Sequence, residues 1–144
     1  YIKAQLAAGQ NIPDSGTAFV SVAGSDKTEA VEIGRRLVEL GFEVVATRNT
    51  ADALRKAGVK AGIVHKIGEG RPDAIDLIKN GELDLIINTP SGKKPRMHEV
   101  TIRSAAVARG IPIVTTIAGA KATLFGMEAI RTHRAEVRAM HEYN

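Results

Sequence analysis

The chain has 144 residues, of which 44% are hydrophobic and 3% aromatic, and its formal net charge is +4. This length suits one domain with a single core, and the aliphatic composition is typical of a parallel sheet covered by helices. The absence of cysteine excludes disulfides and thiolate chemistry, and only five aromatic residues (two Tyr, three Phe) disfavour a nucleic-acid surface. No apolar run approaches the ~20 residues of a membrane span, so we expect a cytoplasmic protein without a membrane partner.

The first segment, residues 1–16, reads as the end of a helix followed by a polar linker that contains Pro13 and Gly16. Because the chain begins with Tyr1 instead of methionine, we expect it to be a piece of a longer protein. We therefore predict the tail of a preceding domain over residues 1–16 and one α/β domain over residues 17–144.

From Thr17 onward, strand and helix patterns alternate. Strands are predicted in five apolar segments: TAFVSVA, FEVVAT, AGIVHK, LDLIINT and IPIVTT. Helices are predicted in SDKTEAVEIGRRLVELG, TADALRKAG, RPDAIDLIKNG, HEVTIRSAAVARG and AKATLFGMEAIR, and a short edge strand with a last turn in EVRAMHEYN. Asp26 and Glu29 have the spacing of a capping box at the first of these helices. The alternation predicts a three-layer doubly wound, mainly parallel five-stranded sheet with helices on both faces.

Polar residues collect where these strands end. In open α/β sheets, ligands bind beyond the carboxyl ends of the strands. The candidate segments are Ser21 to Lys27, Thr47 to Thr50, Lys66 to Arg71, Asn88 to Lys94, and Thr115 to Lys121.

Two threonines, Thr47 and Thr50, flank the predicted start of the second helix. A helix start favours an anion through its free N–H groups and its dipole, so both hydroxyls could bind a phosphate. Alternatively, Thr50 alone caps the helix and Thr47 merely ends the strand. The residues themselves leave both interpretations open.

Lys66 and Asn88 end the third and fourth strands. Lys66 is either a surface lysine or a phosphate ligand, and Asn88 could bind a base or a sugar edge. The segment after Asn88 is not a P-loop, because Ile87 stands where the first glycine is needed and no hydroxyl follows the lysine. We interpret Lys93 and Lys94 as part of a solvated loop.

Metal and acid–base chemistry are poorly supported by the sequence. The four histidines show no metal-binding spacing such as HExxH, and no pair of carboxylates stands out as catalytic. The four histidines are His65, His98, His133 and His141. We predict no metal and no catalytic residue in this chain.

Five segments, in this order, carry a family resemblance: FVSVAGSDK, GFEVVATRNTADAL, EGRPDAIDLIKNGELDLIINTPSGKK, IRSAAVARGIPIVTT and a late MH. Together they resemble the last domain of carbamoyl phosphate synthetase large subunits, which belongs to the methylglyoxal-synthase-like superfamily. The resemblance runs from about Thr17 to the end of the chain, and YIKAQLAAG looks like the close of the preceding ATP-grasp region.

The resemblance implies an allosteric regulatory domain that binds the nucleotide effectors UMP, an inhibitor, and IMP, an activator. The family's phosphate-binding positions fall on Lys27, Thr47, Thr50 and Lys66, its base and ribose positions on Asn88, Thr89 and Ser91, and an ornithine contact on Thr115. Pro90 departs from the family, since some members carry a threonine there. Proline cannot donate a hydrogen bond, so the preferred nucleotide stays open.

The resemblance also implies the larger enzyme and its partners. That enzyme makes carbamoyl phosphate from bicarbonate, glutamine-derived ammonia and ATP with Mg or Mn, for pyrimidine or arginine biosynthesis. The implied partners are the rest of the large subunit and a glutaminase small subunit, with oligomerisation open. We expect no cofactor in this domain and no nucleic-acid partner.

Three alternatives remain. A methylglyoxal synthase-type enzyme, which eliminates phosphate on the same fold, needs an aspartate after two glycines in the loop following the third strand. Here that loop has Glu69, Gly70 and Arg71, and His98 lacks the flanking aspartates of those enzymes. A cyclohydrolase domain of purine synthesis fits the surrounding motifs poorly, and a domain used only for subunit contacts is the last alternative.

Overall fold

A computed structural model of the chain describes residue 13 and residues 15–90 and 97–142. The strands are β1 (Gly16–Ser21), β2 (Phe42–Thr47), β3 (Gly62–Val64), β4 (Leu85–Asn88) and β5 (Ile113–Val114). The helices are α1 (Lys27–Glu39, after a 3-10 turn at Gly24–Asp26), α2 (Arg48–Lys56), α3 (Ala74–Lys79), α4 (Met97–Ala108) and α5 (Ile117–Glu142). Most of the predicted tail, together with Ser91, Lys93 and Lys94, lies outside the described residues.

The five strands form one sheet in the order β3-β2-β1-β4-β5, and every pairing is parallel. The chain winds from β1 outward to β3 and then returns to place β4 on the other side of β1. The strand order therefore reverses between β1 and β4, where doubly wound sheets open a crevice for ligands. The predicted fold is confirmed, with a sheet that is wholly parallel.

Successive side chains along the strands pack alternately into two separate hydrophobic cores, one on each face of the sheet. Val20 and Ile87 pack on one face with α1, α2 and α5, whereas their neighbours Phe19 and Ile86 pack on the other face with α3 and α4. Successive strand residues point to opposite faces, so a strand covered on both sides must be apolar throughout. This explains the three consecutive apolar residues Leu85, Ile86 and Ile87 of β4, which are fully buried.

The capping box predicted at the start of α1 is wrong. Asp26 lies at the N-cap position of α1 but makes no side-chain capping hydrogen bond. A capping box forms instead at α3, where the Asp76 N–H donates to Asp73 Oδ1 at 2.9 Å and the Asp73 N–H donates to Asp76 Oδ2 at 3.0 Å. Pro72 directly precedes that cap, next to the first turn of the helix.

The edge strand predicted in residues 136–144 is also wrong, because α5 continues to Glu142. Residues 131–141 are all exposed, so no neighbouring strand competes with the helix-forming preference of their Ala, Glu, Met and Arg side chains. The Arg131 guanidinium donates to the carbonyl oxygens of Glu39 and Leu40 at the end of α1. This contact fastens the middle of α5 to the domain.

An ion pair adds a second fastening between α1 and α5. Arg36 donates to Glu128 through Nη2 at 2.6 Å and through Nε at 3.0 Å. The hydrogen bond from Arg36 and its charge lower the pKa of Glu128, outweighing the partial burial. Such bidentate pairs are geometrically specific, although exposure limits their contribution to stability.

We expect Glu128→Gln to lower the free energy of unfolding at neutral pH by about 1 kcal/mol or less, given the exposure of the pair. Because the folded-state pKa of Glu128 is lowered, the pair stabilises the protein above the ordinary glutamate pKa of about 4.3 and ceases to do so as the pH falls through the folded-state pKa. Urea unfolding from pH 7 to pH 3 should show the wild type and the variant converging in acid. Glu136→Gln, an exposed glutamate on the same helix, is the control, and an equal deficit at every pH would contradict the assignment.

Candidate functional site

A cavity of about 260 Å³ opens at the carboxyl ends of β1 to β4, at the point where the strand order reverses. The parallel register sets Ser21 beside Asn88 and Thr47 beside Val64, which brings the loops after four strands to one edge. The start of α4 closes the remaining side. The polar residues that line the cavity are Ser21, Lys27, Thr47, Asn49, His65, Lys66, Asn88, Thr89, His98 and Glu99.

Lys27, the first residue of α1, is held from two directions. Its ammonium Nζ donates to the carbonyl oxygen of Val22 at 2.8 Å and to Thr50 Oγ1 at 2.9 Å. An ammonium has three donors, so one N–H remains for the cavity. Burial, followed by the positive charge of Lys66, lowers the pKa of Lys27 against an opposing contribution from Asp26. An anion bound between the two lysines would oppose both effects, because it favours the charged form of each ammonium.

Thr50 supports the site from behind the cavity wall. Its side chain is fully buried and its hydroxyl accepts the hydrogen bond from Lys27, but it is not among the residues that line the cavity. The interpretation of Thr50 as a helix cap is wrong, because α2 begins at Arg48 with Thr47 at the N-cap position. Thr47 makes no side-chain capping bond either, so its hydroxyl stays available.

Thr47 and Asn88 are buried polar side chains that face the cavity. They are 8% and 6% exposed, and neither side chain is hydrogen-bonded to another residue in the described part of the chain. Buried polar groups in folded proteins almost always have a partner, either protein or water. As far as residues 15–90 and 97–142 are concerned, the Thr47 hydroxyl and the Asn88 amide are therefore available to hydrogen-bond a ligand in the cavity.

Thr89 has a structural task in addition to lining the cavity. Its N–H donates to the carbonyl oxygen of Ser21 at 3.0 Å, and its hydroxyl accepts from the Ala23 N–H at 3.1 Å. These two bonds fasten the loop after β4 to the loop after β1. Neither Pro90 nor Thr115 lines the cavity, so the structure separates them from the residues above.

The loop after β3 presents His65 and Lys66. The His65 N–H donates to the carbonyl oxygen of Pro72 at 3.2 Å, which folds the loop back on the strand. At Gly70 a Cβ would lie 2.7 Å from His65 Nδ1, so only glycine allows the loop to pass this close to the ring. Lys66 forms no ion pair with a carboxylate in the described ranges, and it lowers the pKa of Lys27, so the two positive charges lie near each other.

Three polar lining residues lie outside the candidate segments predicted from the sequence: His65, His98 and Glu99. His65 could have been found from its place directly before Lys66. His98 and Glu99 start α4, and nothing in their spacing indicated that this helix reaches the cavity. In residues 15–90 and 97–142, no three His, Asp or Glu side chains gather closely enough to hold a metal ion, and the prediction of no metal stays a prediction.

A family model described as MGS-like domain matches residues 29–115, which is more than half of the chain and includes most of the cavity residues. The chain belongs to the MGS-like family. The family predicted from the sequence is thereby confirmed.

Relatives within this family are carbamoyl phosphate synthase large chains. The chain is 48% identical over 99% of its length to the C-terminal section of the large chain from Methanopyrus kandleri, and 44% identical over 100% of its length to the large chain from Archaeoglobus fulgidus. It spans only 26% and 14% of the lengths of these relatives.

A solved structure, a methylglyoxal synthase from Elizabethkingia anophelis, matches with a TM-score of 0.63 at 16% identity, over 78% of this chain and 79% of that one. At this level of identity, the likeness shows the shared MGS-like fold alone.

In the described residues, no helix has the length and apolar character needed to cross a membrane.

The support that Thr50 gives to Lys27 can be tested with two substitutions. We expect Thr50→Val, which keeps the shape and removes the hydroxyl, to lower the free energy of unfolding by about 1–3 kcal/mol, because Lys27 loses an acceptor in a partly buried position. Thr50→Ser should retain the bond and most of the stability. Urea unfolding of both variants checks this, and a Thr50→Val protein as stable as the wild type would show that the hydroxyl does not hold Lys27.

Proposed function

We propose that this chain is the nucleotide-binding regulatory domain of a carbamoyl phosphate synthase large chain. One observation carries the proposal: Lys27 and Lys66, which have no carboxylate partner among the described residues, face one cavity together with the buried side chains of Thr47 and Asn88, which have no hydrogen-bond partner there, at the point where the strand order of the sheet reverses. The similarity to carbamoyl phosphate synthase large chains supports the choice of parent enzyme.

The phosphate of the effector binds at the β2 and β3 side of the cavity. Lys27 and Lys66 supply two positive charges there, and the Thr47 hydroxyl supplies a neutral donor. The first turn of α2 adds backbone N–H groups and the positive end of the helix dipole. Hydrogen bonds that involve a charged group contribute about 1.5–3 kcal/mol each, so three or four of them support roughly micromolar affinity.

The nucleoside lies toward β4 and α4. Asn88 offers both an amide donor and a carbonyl acceptor, which suits the edge of a base or a ribose hydroxyl. The apolar side chains of Phe19 and Ile102 line the same cavity and provide the flat contact that a base needs. UMP and IMP are the effectors proposed for this site.

A binding role explains the cavity better than phosphate elimination does. Elimination needs a carboxylate base beside the phosphate, but the Asp73 carboxylate accepts the Asp76 N–H as a helix cap and does not line the cavity. Glu99, which does line it, comes from the start of α4 and not from the loop after β3. The domain accordingly regulates and does not catalyse.

In the parent enzyme, which uses ATP with Mg or Mn, we propose that effector binding here changes the rate of carbamoyl phosphate formation elsewhere in the large chain. Thr115 follows β5, outside the cavity, and is proposed as an ornithine contact at the border with the rest of that chain. The glutaminase small subunit is the remaining proposed partner. Such coupling needs two distinct sites whose ligands favour different states of the enzyme.

The site is tested by calorimetric titration of the chain with UMP and IMP. We expect Lys66→Ala to weaken binding by about ten- to a hundredfold, because it removes one charge-assisted contact to the phosphate. Lys60→Ala, which removes an exposed lysine outside the cavity, should leave the affinity unchanged. Equal affinities for the wild type and Lys66→Ala, or no nucleotide binding by the wild type, would contradict the proposed function.

Regulation itself is tested in the complete large chain. We expect Lys66→Ala to reduce the ratio between turnover with and without nucleotide, because the effector binds more weakly while the linkage between sites is left in place. Initial rates of carbamoyl phosphate formation across a range of nucleotide concentrations measure this ratio. A response curve that coincides with that of the wild type would remove Lys66 from the effector site.

A further inference from the structure

A second cleft, of about 360 Å³, adjoins the phosphate end of the cavity. It lies between the start of α2 and the end of β3, and it shares Asn49, His65 and Lys66 with the cavity. The walls that it does not share come from Arg48, Glu69 and two residues of β3. We call this feature the outer cleft.

The strand order fixes the direction in which the outer cleft lies. Along the carboxyl edge, β4 with Asn88 comes first, followed by β1, by β2 with Thr47, and by β3, which is the edge strand. A ligand with its sugar at Asn88 and its phosphate between Lys27 and Lys66 thus points its phosphate end at the outer cleft. Any group attached beyond that phosphate would enter it.

The outer cleft is basic. Arg48 and Lys66 are exposed, and neither forms an ion pair with a carboxylate in the described part of the chain. A guanidinium matches the oxygens of a phosphate with two parallel donors, which suits it to this ligand. Among the described residues that line it, Glu69 is the one acidic side chain, and it opposes the positive charges of Arg48 and Lys66.

We propose that the outer cleft is a second anion subsite, so that the complete site binds a nucleoside diphosphate with its β-phosphate between Arg48 and Lys66. The inference rests on the proposed function, because it places the first phosphate and the nucleoside as described there. Arg48 is the residue that distinguishes a nucleoside diphosphate from a nucleoside monophosphate, since it lines the outer cleft and not the cavity.

The test compares UMP with UDP in calorimetric titrations of the chain, with divalent cations removed so that both phosphates are free. We expect the wild type to bind UDP about tenfold more tightly than UMP, which corresponds to one exposed charge-assisted contact. Arg48→Gln should bring the two affinities to within about twofold while leaving that for UMP nearly unchanged. Glu69→Gln should increase the preference for UDP, because it removes the opposing charge.

Controls separate this inference from the proposed function. Arg109→Gln removes an exposed arginine outside both the cavity and the outer cleft, and it should keep the preference for UDP. Tight UMP binding without a preference for UDP, or a preference that survives Arg48→Gln, would overturn the outer cleft as a subsite and leave the proposed function standing. Binding of neither nucleotide would overturn both the outer cleft as a subsite and the proposed function.

Pyrophosphate and inorganic phosphate give a second comparison. We expect pyrophosphate to bind more tightly than inorganic phosphate in the wild type and to lose that advantage in Arg48→Gln.

Discussion

The ammonium of Lys27 is the interaction on which the site depends. It joins the carbonyl oxygen of Val22, after β1, to the hydroxyl of Thr50, inside α2, and thereby holds the loop after β1 against the first turn of α2. It does so without a carboxylate partner in the described residues, next to the second positive charge of Lys66. Holding two like charges together costs free energy, and a bound anion recovers it. The arrangement therefore favours an anionic ligand before any particular ligand is considered.

The parallel sheet makes this arrangement available. All five strands run in one direction, so the polar residues that follow β1, β2, β3 and β4 must meet at the same edge. The two bonds of Thr89 then lock the loop after β4 to that after β1. Loops that are held together by hydrogen bonds lose little conformational entropy when a ligand binds, so less of the binding free energy is spent on ordering them. The opposite end of the domain, where Arg131 and Glu128 hold α5, provides rigidity without contributing to the site.

Much of the site could be predicted because its residues stand out against apolar strands. Lys27, Thr47, Lys66 and Asn88 follow or end buried segments, and the structure brings all four to one cavity. For Thr50 the sequence left a helix cap and a phosphate ligand as alternatives, because a threonine before an apolar helical pattern is often a cap. The helix begins at Arg48 with Thr47 at its N-cap position, and the Thr50 hydroxyl turns inward to Lys27. His98 could not be predicted, since the reach of α4 across the cavity depends on packing between elements distant in sequence.

The sequence by itself determined the alternation of strands and helices, the nearly all-apolar β4 and the residue types available for an anion, because hydrophobic periodicity and side-chain chemistry are local properties. The tertiary structure decided the rest. It showed α5 continuing through residues predicted as a strand, where no neighbouring strand offers hydrogen bonds to replace those of the helix. It also placed Arg48 beside Lys66, a pair 18 positions apart (66 minus 48) that meets only because β2 and β3 are adjacent in the sheet. Such proximity depends on strand order, and strand order is settled by the packing of the whole chain.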